Sequence, residues 1–447
     1  MKYNFFSLED FNIVKHDKGW YYIHCKPLGR YLMNIESVEM TKLPDNLLIS
    51  VLDEIISNIV NNKKIIPHSI SSPARFFKRK EVPRLMLFPT AACNLNCIYC
   101  HCSSDNSQAH MDEKMLYASV DKYLEYVNNV AQSIDNIEIT FMGGGEPFIR
   151  FRQIKDVVSY IKDLGVNGQY SIVTNATLGS EQDWEWLLSH NFKITISADG
   201  PPHIQNFQRT NVANLNTSSR LENRLNYLSS HNATVNIRST VLGTSEETID
   251  TICDYFMQFD CVRTHHLEPI SFAGRGNAIE DNKDLSLFYG NFFKFYSKYL
   301  YSNPSRFKSA WFKPFQKSDG YCGAVYNNAI VTHDGYISLC TEVDSKSLNS
   351  EIGNEYLVSQ IWDDNPFSSL KSKTFSKNHS VYKMPNCKEC VIRYKCGGGC
   401  YIKKDRDFPG KIDSFYQAFC KHIIPLHLSY ILQVYENSLA NENRVDK

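Results

Sequence analysis

Residues 90–100, TAACNLNCIYC, carry three closely spaced cysteines, Cys93, Cys97 and Cys100. A cubane iron–sulfur cluster is normally held by four cysteine thiolates, so three thiolates on one loop would leave one iron open to another molecule. Zinc is the alternative, but structural zinc favours paired CxxC segments that close a tetrahedron. No second pair stands beside this triad in the sequence. The spacing therefore favours an iron–sulfur cluster with one free coordination position.

The surrounding stretch alternates short apolar runs with longer amphipathic ones, which predicts parallel strand–helix–strand units. The runs predicted as strands are residues 85–90, 137–142, 170–175, 192–197, 234–241 and 265–270. The patterns predicted as helices are residues 115–131, 154–164, 181–190, 219–230 and 246–259. Together they predict an α/β fold, a partial (β/α)6 TIM-like barrel over residues 84–304.

Polar and glycine-rich motifs directly follow these predicted strands. They are the cysteine triad, GGGEP (143–147), TNAT (174–177), SADGPP (197–202) and LEP (267–269). In α/β barrels the chemistry sits at the C-terminal ends of the strands. We therefore expect these motifs to meet on one rim and to form one site.

The regions on either side of the barrel have a different pattern. Residues 1–75 are predicted to form a small N-terminal α+β element, with a hairpin or small sheet in 20–40 and one or two helices in 45–66. A polar, proline-bearing linker at 67–83 separates this element from the barrel. Residues 305–447 are rich in loops and cysteines, and the final stretch, 413–441, is predicted to be mostly helical.

Charge and hydropathy argue against several kinds of partner. Lysine plus arginine and aspartate plus glutamate are balanced at 48 each, so the chain lacks the concentrated positive charge that nucleic-acid binding needs. The N-terminus carries charges where a signal peptide needs an apolar core. The apolar stretch 422–435 is interrupted and too short to span a bilayer. We expect a cytoplasmic protein with no nucleic-acid partner and no membrane partner.

The chain has 14 cysteines, many for a cytosolic protein, where disulfides are rarely maintained. Most fall into tight spacings that are typical of metal ligands. Cys25, Cys102, Cys253 and Cys261 are scattered, and we predict that they are small buried side chains.

The triad with Tyr99, followed by Gly144–Pro147, resembles the motifs of the radical S-adenosylmethionine (radical SAM) superfamily. The resemblance implies a [4Fe-4S] cluster whose open iron chelates S-adenosylmethionine (SAM). An electron then cleaves SAM to methionine and a 5′-deoxyadenosyl radical, which abstracts a substrate hydrogen. The residues that the resemblance implies for SAM binding are Gly144, Gly145 and Glu146 at its ammonium group, Ser197 and Arg209, Thr174 and Asn175, and also Arg238 and Glu268. The alternative is that Arg209 is a solvated charge and Ser197 a strand-end cap.

The C-terminal cysteines resemble the SPASM extension of radical SAM enzymes, which carries auxiliary iron–sulfur clusters. The resemblance implies one cluster on Cys387, Cys390, Cys396 and Cys420, and another on Cys322, Cys340 and Cys400. Zinc is again the alternative, because CxxC elements also occur in zinc ribbons. The second set has no further cysteine shortly before Cys340, so either a non-cysteine ligand completes it or one iron stays open.

Some SPASM enzymes place a carboxylate that acts as a base shortly after the second cysteine of this domain. Glu342 is the first candidate for the catalytic base here, and Asp344 is the second candidate. A surface carboxylate without a catalytic role is the alternative for both.

Radical SAM enzymes with a SPASM domain mostly modify peptides or proteins. We expect a maturase that cross-links a ribosomally synthesised precursor peptide through a carbon–carbon or thioether bond. The alternatives are a sulfatase-type maturase, which oxidises a cysteine or serine on a protein, and a non-enzymatic zinc-binding scaffold. The N-terminal element would be a winged helix that grips a leader peptide by β-augmentation, or simply a packing extension. The electron donor is expected to be a reductase or a flavodoxin-like protein.

Overall fold

The fold is described from a computed structural model. It describes residues 3–16, 19–36, 39–45, 47, 56, 82–104, 109–131, 136–213, 215–279, 284–314, 317–322, 327–371, 380–407 and 412–445. Apart from residues 45, 47 and 56, the stretch 45–66 with its predicted helices lies outside these residues, as does almost all of the predicted linker at 67–83.

The N-terminal residues form a four-stranded antiparallel sheet in the order β1-β2-β3-β4. Its strands are β1 (Phe11–Lys15), β2 (Trp20–Cys25), β3 (Gly29–Asn34) and β4 (Glu39–Leu43). This confirms the small sheet predicted in 20–40. The two central strands are almost entirely buried, whereas β1 is an edge strand with half-buried and exposed residues.

The six predicted barrel strands are confirmed, and they pair in parallel in chain order. They are β5 (Arg84–Leu87), β6 (Asn136–Phe141), β7 (Asn167–Thr174), β8 (Lys193–Ser197), β9 (Val235–Val241) and β10 (Val262–Pro269). Neighbouring parallel strands in chain order, each joined to the next by a helix, are the arrangement of a partial α/β barrel.

Helices follow the strands at every predicted position. They are α1 (Glu113–Ala131), α2 (Phe151–Asp163), α3 (Glu181–Ser189), α4 (Pro202–Gln208), α5 (Ser218–Ser230), α6 (Glu246–Met257) and α7 (Leu285–Ser302). Each long helix buries one apolar stripe, as in α5, where Leu221, Leu225 and Leu228 are fully buried. This spacing matches the helical repeat and turns the stripe toward the sheet.

The C-terminal region extends the barrel sheet at both edges, which the sequence did not predict. Beside β10 runs the short parallel strand β11 (Phe307–Lys308). Beside β5 runs the parallel strand β12 (Asn328–Val331), followed by the antiparallel β13 (Tyr336–Ser338) and β14 (Leu357–Gln360). The barrel and the cysteine-rich region therefore share one ten-stranded sheet.

The remaining C-terminal residues are short helices and one long one. They are α8 (Glu351–Tyr356), α9 (Pro385–Lys388), α10 (Arg393–Cys396), α11 (Tyr401–Asp407) and α12 (Ile412–Val445). The last confirms the helix predicted over 413–441. Among the described residues, no helix is both long enough and apolar enough to cross a membrane.

Helix α12 joins the N-terminal sheet to the barrel. On one side Tyr31 of β3 donates its hydroxyl to Glu436 at 2.7 Å. On the other side Tyr301 of α7 donates its buried hydroxyl to the Leu426 carbonyl at 2.5 Å. The three regions therefore pack around one common core.

We predict that Tyr301→Phe lowers the free energy of unfolding by about 1 kcal/mol, because it leaves the buried Leu426 carbonyl without this donor. Urea unfolding followed by circular dichroism measures the change. Tyr299→Phe is the matched control, since the Tyr299 hydroxyl donates to Asp254 on the exposed surface. Equal effects of the two substitutions would contradict the prediction.

Candidate functional site

The cysteine triad lies on a loop directly after β5, and neighbouring backbone holds that loop in place. The amide of Asn96 donates to the Thr210 carbonyl at 2.7 Å, and the amide of Ile98 donates to the Gln208 carbonyl at 3.0 Å. From the opposite side, Arg275 donates to the Cys97 carbonyl at 2.8 Å. Groups from other segments of the rim thus help to fix the loop in place.

The three triad thiols are half-buried and free of disulfides. Burial raises the pKa of Cys93 to about 12, and the nearby Glu146 carboxylate acts in the same direction. Burial also raises the pKa of Cys97 to about 11. Metal ligation needs thiolates, so a cationic centre would have to supply the positive charge that stabilises them.

Within the described ranges, no three His, Cys, Asp or Glu side chains are grouped so as to hold a metal ion. A cubane cluster contains its own iron and sulfide, so its thiolate ligands stand farther apart than the ligands of a single ion. Three free thiols on one loop that its neighbours hold in place are suitable ligands for such a cluster.

Gly145 brings the glycine-rich motif into direct contact with the triad loop. Its amide donates to the Thr90 carbonyl at 3.0 Å, and the next amide, of Glu146, donates to the Ala92 carbonyl at 2.8 Å. A Cβ at Gly145 would lie 1.9 Å from the Ala92 carbonyl oxygen. Gly144 differs, because a Cβ there would lie no closer than 3.8 Å to its nearest neighbour, Cys102.

Glu146 is buried and is held by three donors. Its carboxylate accepts from the Thr174 hydroxyl at 2.6 Å, from the Asn175 amide at 2.7 Å and from the Phe148 amide at 3.2 Å. Burial raises the pKa of Glu146 to about 7, although these donors oppose that rise. The structure thus brings together three of the residues expected to bind SAM. A carboxylate has about four acceptor positions, so capacity remains for a ligand ammonium.

Arg209 is paired with a residue that the sequence analysis missed. The fully buried Asp199 accepts from Arg209 Nε at 2.8 Å and from Arg209 Nη2 at 3.1 Å. The hydroxyl of Tyr99 donates to the same carboxylate, and the guanidinium lies 5.3 Å from the centre of the Tyr99 ring. Arg209 is therefore not a solvated charge. The signal that could have found Asp199 is its place in SADGPP, directly after a strand.

The other residues expected to contact SAM lie on the same rim. Ser197 ends β8 and is half-buried, whereas Arg238 on β9 is exposed. Glu268 on β10 accepts from the Ala310 amide at 2.5 Å and lies 2.5 Å from His266 Nε2. Burial would raise the pKa of Glu268, but His266 and these donors outweigh burial and lower it.

Cys387, Cys390, Cys396 and Cys420 line one cavity, which brings together the four-cysteine set predicted from the sequence. Helices α9, α10 and α12 and the turn between α9 and α10 supply them. Apolar side chains complete the wall, among them Trp311, Phe415 and Phe419. Four free thiols in a mainly apolar cavity suit a closed iron–sulfur cluster.

The second cysteine set lies close by. Burial raises the pKa of both Cys340 and Cys400, and each of these thiols also interacts electrostatically with Cys322. Lys313 interacts electrostatically with cysteines of both sets, and its ammonium donates to the Tyr321 carbonyl at 2.6 Å. Burial lowers the pKa of Lys313, while Cys322 and Cys396, one from each set, act in the opposite direction.

Glu342 is already paired in this structure. Its carboxylate lies 3.1 Å from Arg406 Nη2 and accepts from the Ser271 hydroxyl at 3.1 Å. Burial would raise its pKa, but the charges of His101, Arg406 and Lys403 lower it to about 2. Asp344 accepts from the Lys346 amide at 3.0 Å. A general base works best with a pKa near the operating pH, so Glu342 would have to leave Arg406 to become an effective base.

Comparison with known proteins finds a consistent set of relatives. The profile of the radical SAM superfamily matches residues 87–256. The cysteine-type anaerobic sulfatase-maturating enzyme of Clostridium perfringens is 26% identical over 350 residues, which are 72% of this chain and 89% of that enzyme.

Two solved structures share the fold. Native anSMEcpe with bound AdoMet has a TM-score of 0.60 at 20% identity, covering 79% of this chain and 99% of its own. Streptococcus suis SuiB bound to the precursor peptide SuiA has a TM-score of 0.52 at 14% identity, covering 90% of this chain and 96% of its own.

We predict that Gly145→Ala displaces the triad loop, because the added methyl group would overlap the Ala92 carbonyl. Iron retained by the anaerobically reconstituted protein should fall, as measured by iron analysis and absorbance. Gly144→Ala, where the methyl group has room, is the matched control for iron content. Full iron in Gly145→Ala would contradict the prediction.

We predict that Asp199→Asn lowers the free energy of unfolding by about 3 kcal/mol or more, since it leaves the buried Arg209 charge uncompensated. Chemical denaturation measures the loss. Asp250→Asn serves as the control, because its pair with Lys298 is partly exposed and such pairs contribute about 1 kcal/mol or less. A similar small change in both variants would refute the buried-pair argument.

Proposed function

We propose that this chain, which carries a radical SAM domain, is a maturase that installs a radical-derived cross-link in a ribosomally synthesised precursor peptide. The observation that carries the proposal is the N-terminal sheet, which offers an edge strand and is tied to the cysteine-rich region. Lys15 of this sheet pairs with Glu389, and Tyr21 donates to the Glu389 carbonyl at 3.2 Å. A peptide held there would lie next to the region that carries the auxiliary cysteines.

The residues of the barrel rim are assigned to SAM. Cys93, Cys97 and Cys100 would hold a [4Fe-4S] cluster that, when bound, supplies the electron for reductive cleavage of SAM. Gly144 leaves space beside the triad, and the Glu146 carboxylate would accept from the ligand ammonium. Asp199 holds Arg209 in position, and the burial of Glu146, Asp199 and Arg209 keeps water away from this part of the site. A reductase or flavodoxin-like protein would deliver the electron.

The edge strand β1 has the geometry for β-augmentation. The His16 amide donates to the Trp20 carbonyl and the Lys26 amide donates to the Asp10 carbonyl, so even-numbered residues of this strand bond to β2. In an antiparallel pair the alternate residues direct their amides away from the partner strand. The amides of Ile13 and Lys15 are therefore available to an added peptide strand, whereas the Phe11 amide already donates to the Leu8 carbonyl.

A sulfatase-type maturase is the second candidate, favoured by the similarity to the Clostridium perfringens enzyme over 72% of this chain. The two candidates differ in their products. A cross-link between two side chains removes two hydrogens and resists fragmentation inside the ring. Oxidation of a single cysteine or serine leaves the peptide linear.

We predict a brown, oxygen-sensitive protein that cleaves SAM under reductant and cross-links its peptide. The probe is the peptide encoded by a short reading frame beside this gene, analysed by tandem mass spectrometry after anaerobic incubation. The Cys97→Ala variant should produce neither 5′-deoxyadenosine nor cross-link. A colourless protein with zinc and no iron would support the scaffold alternative and refute the proposal, and a linear oxidised product would favour the second candidate.

We predict that Ile13→Pro weakens binding of that peptide about tenfold, because proline removes the outward amide of β1 at a position where an edge strand tolerates it. Fluorescence anisotropy of the labelled peptide measures the affinity. Ile13→Ala removes the same side chain but keeps the amide, and should bind nearly as wild type. Equal affinities in the two variants would exclude augmentation at β1.

We predict that Glu342→Gln reduces cross-linked product at least tenfold while SAM cleavage continues, if the carboxylate takes up a proton after release from Arg406. Liquid chromatography of 5′-deoxyadenosine and product separates the two steps. Asp344→Asn tests the second candidate for the base in the same assay. Unchanged turnover in Glu342→Gln would dismiss the assignment.

A further inference from the structure

Two residues that line the four-cysteine cavity each carry a buried nitrogen donor without an acceptor. Trp311 and Arg393 both belong to the cavity wall. Within the described part of the chain, Trp311 Nε1 and Arg393 Nε are buried and have no hydrogen-bond partner. Trp311 is 1% exposed, so solvent does not satisfy its indole.

Such donors are uncommon in folded proteins. The great majority of buried polar groups have a partner, and leaving one without a partner costs about 1–3 kcal/mol. The rest of the wall is mainly apolar apart from the thiols, with Phe415, Phe419, Ile423 and Ile424 among its members. Two such donors at one cavity point to an acceptor that occupies it.

The surroundings of both side chains hold them in place. The Trp311 ring stacks on Phe419 with centroids 4.4 Å apart and packs against Tyr321 at 4.7 Å. Arg393 is held through its other nitrogens: Nη1 donates to the Lys388 carbonyl at 2.5 Å, and Nη2 donates to Glu36 of the N-terminal sheet. These contacts use Nη1 and Nη2 and leave Nε without an acceptor.

We propose that Trp311 Nε1–H and Arg393 Nε–H each donate a hydrogen bond to a sulfur of the iron–sulfur cluster held by Cys387, Cys390, Cys396 and Cys420. The inference rests on the cluster assignment in the proposed function. Reduction adds negative charge to the cluster, and hydrogen bonds to its sulfurs stabilise that charge. Both donors therefore raise its reduction potential, and Arg393 links this cluster to the N-terminal sheet through Glu36.

Redox titration of the full chain, reconstituted anaerobically and followed by electron paramagnetic resonance, tests the proposal. Trp311→Phe should shift the midpoint potential of one cluster to more negative values and leave the other two unchanged. Arg393→Lys, which keeps the charge but loses the Nε donor, should shift the same cluster in the same direction. Phe415→Leu is the matched control, because it alters the same wall without removing a donor, and should produce no such shift.

A second measurement separates a hydrogen bond from packing. Wild-type protein with ¹⁵N-labelled tryptophan indole should show hyperfine coupling between nitrogen and that cluster, and Trp311→Phe should abolish it. Unshifted potentials in both variants at full iron content, or no coupling in the wild type, would overturn the inference.

The Cys387→Ala variant must lose the signal of the same cluster. If it keeps every cluster signal, the cluster assignment itself has failed.

Discussion

The close approach of Gly145 to the backbone of the triad loop is the constraint on which the active rim depends. Only a residue without a Cβ fits beside the Ala92 carbonyl. The contact joins the loop after β5 to the loop after β6, and it places the Glu146 carboxylate beneath the triad. The Glu146 carboxylate in turn accepts hydrogen bonds from Thr174 and Asn175 at the end of β7. Backbone packing and one buried carboxylate therefore fix the ends of β5, β6 and β7 relative to one another.

Buried charge gives the rim its rigidity. Asp199 accepts from Arg209 through two nitrogens, from Tyr99 and from the Thr240 amide. A buried ion pair is stable only when its geometry and remaining hydrogen bonds are nearly complete, and here they are. Because Tyr99 lies inside the triad, this network orients the cysteine loop as well as the arginine.

The N-terminal sheet and the cysteine-rich region behave as one structural unit. Glu36 accepts from Arg393 and from Tyr394, directly beside the cavity of the four cysteines. Burial would raise the pKa of Glu36, but these partners lower it, so the contact is ionic at neutral pH. Glu36 and Arg393 thus connect the N-terminal sheet to the cavity of the four cysteines.

Local sequence patterns were enough to predict the six barrel strands and the helices between them, because periodicity is a property of neighbouring residues. The four-cysteine set was implied by the resemblance to the SPASM extension. Strands β11 to β14 escaped prediction since two to four residues carry too little periodicity. The pairing of Asp199 with Arg209, and the place of Trp311 and Arg393 at one cavity, could be recognised only after folding, because each depends on residues that the fold brings together. The chain by itself determined which groups could bind a cluster. The tertiary structure decided which of them are paired and buried, since burial and charge compensation arise only where distant segments meet.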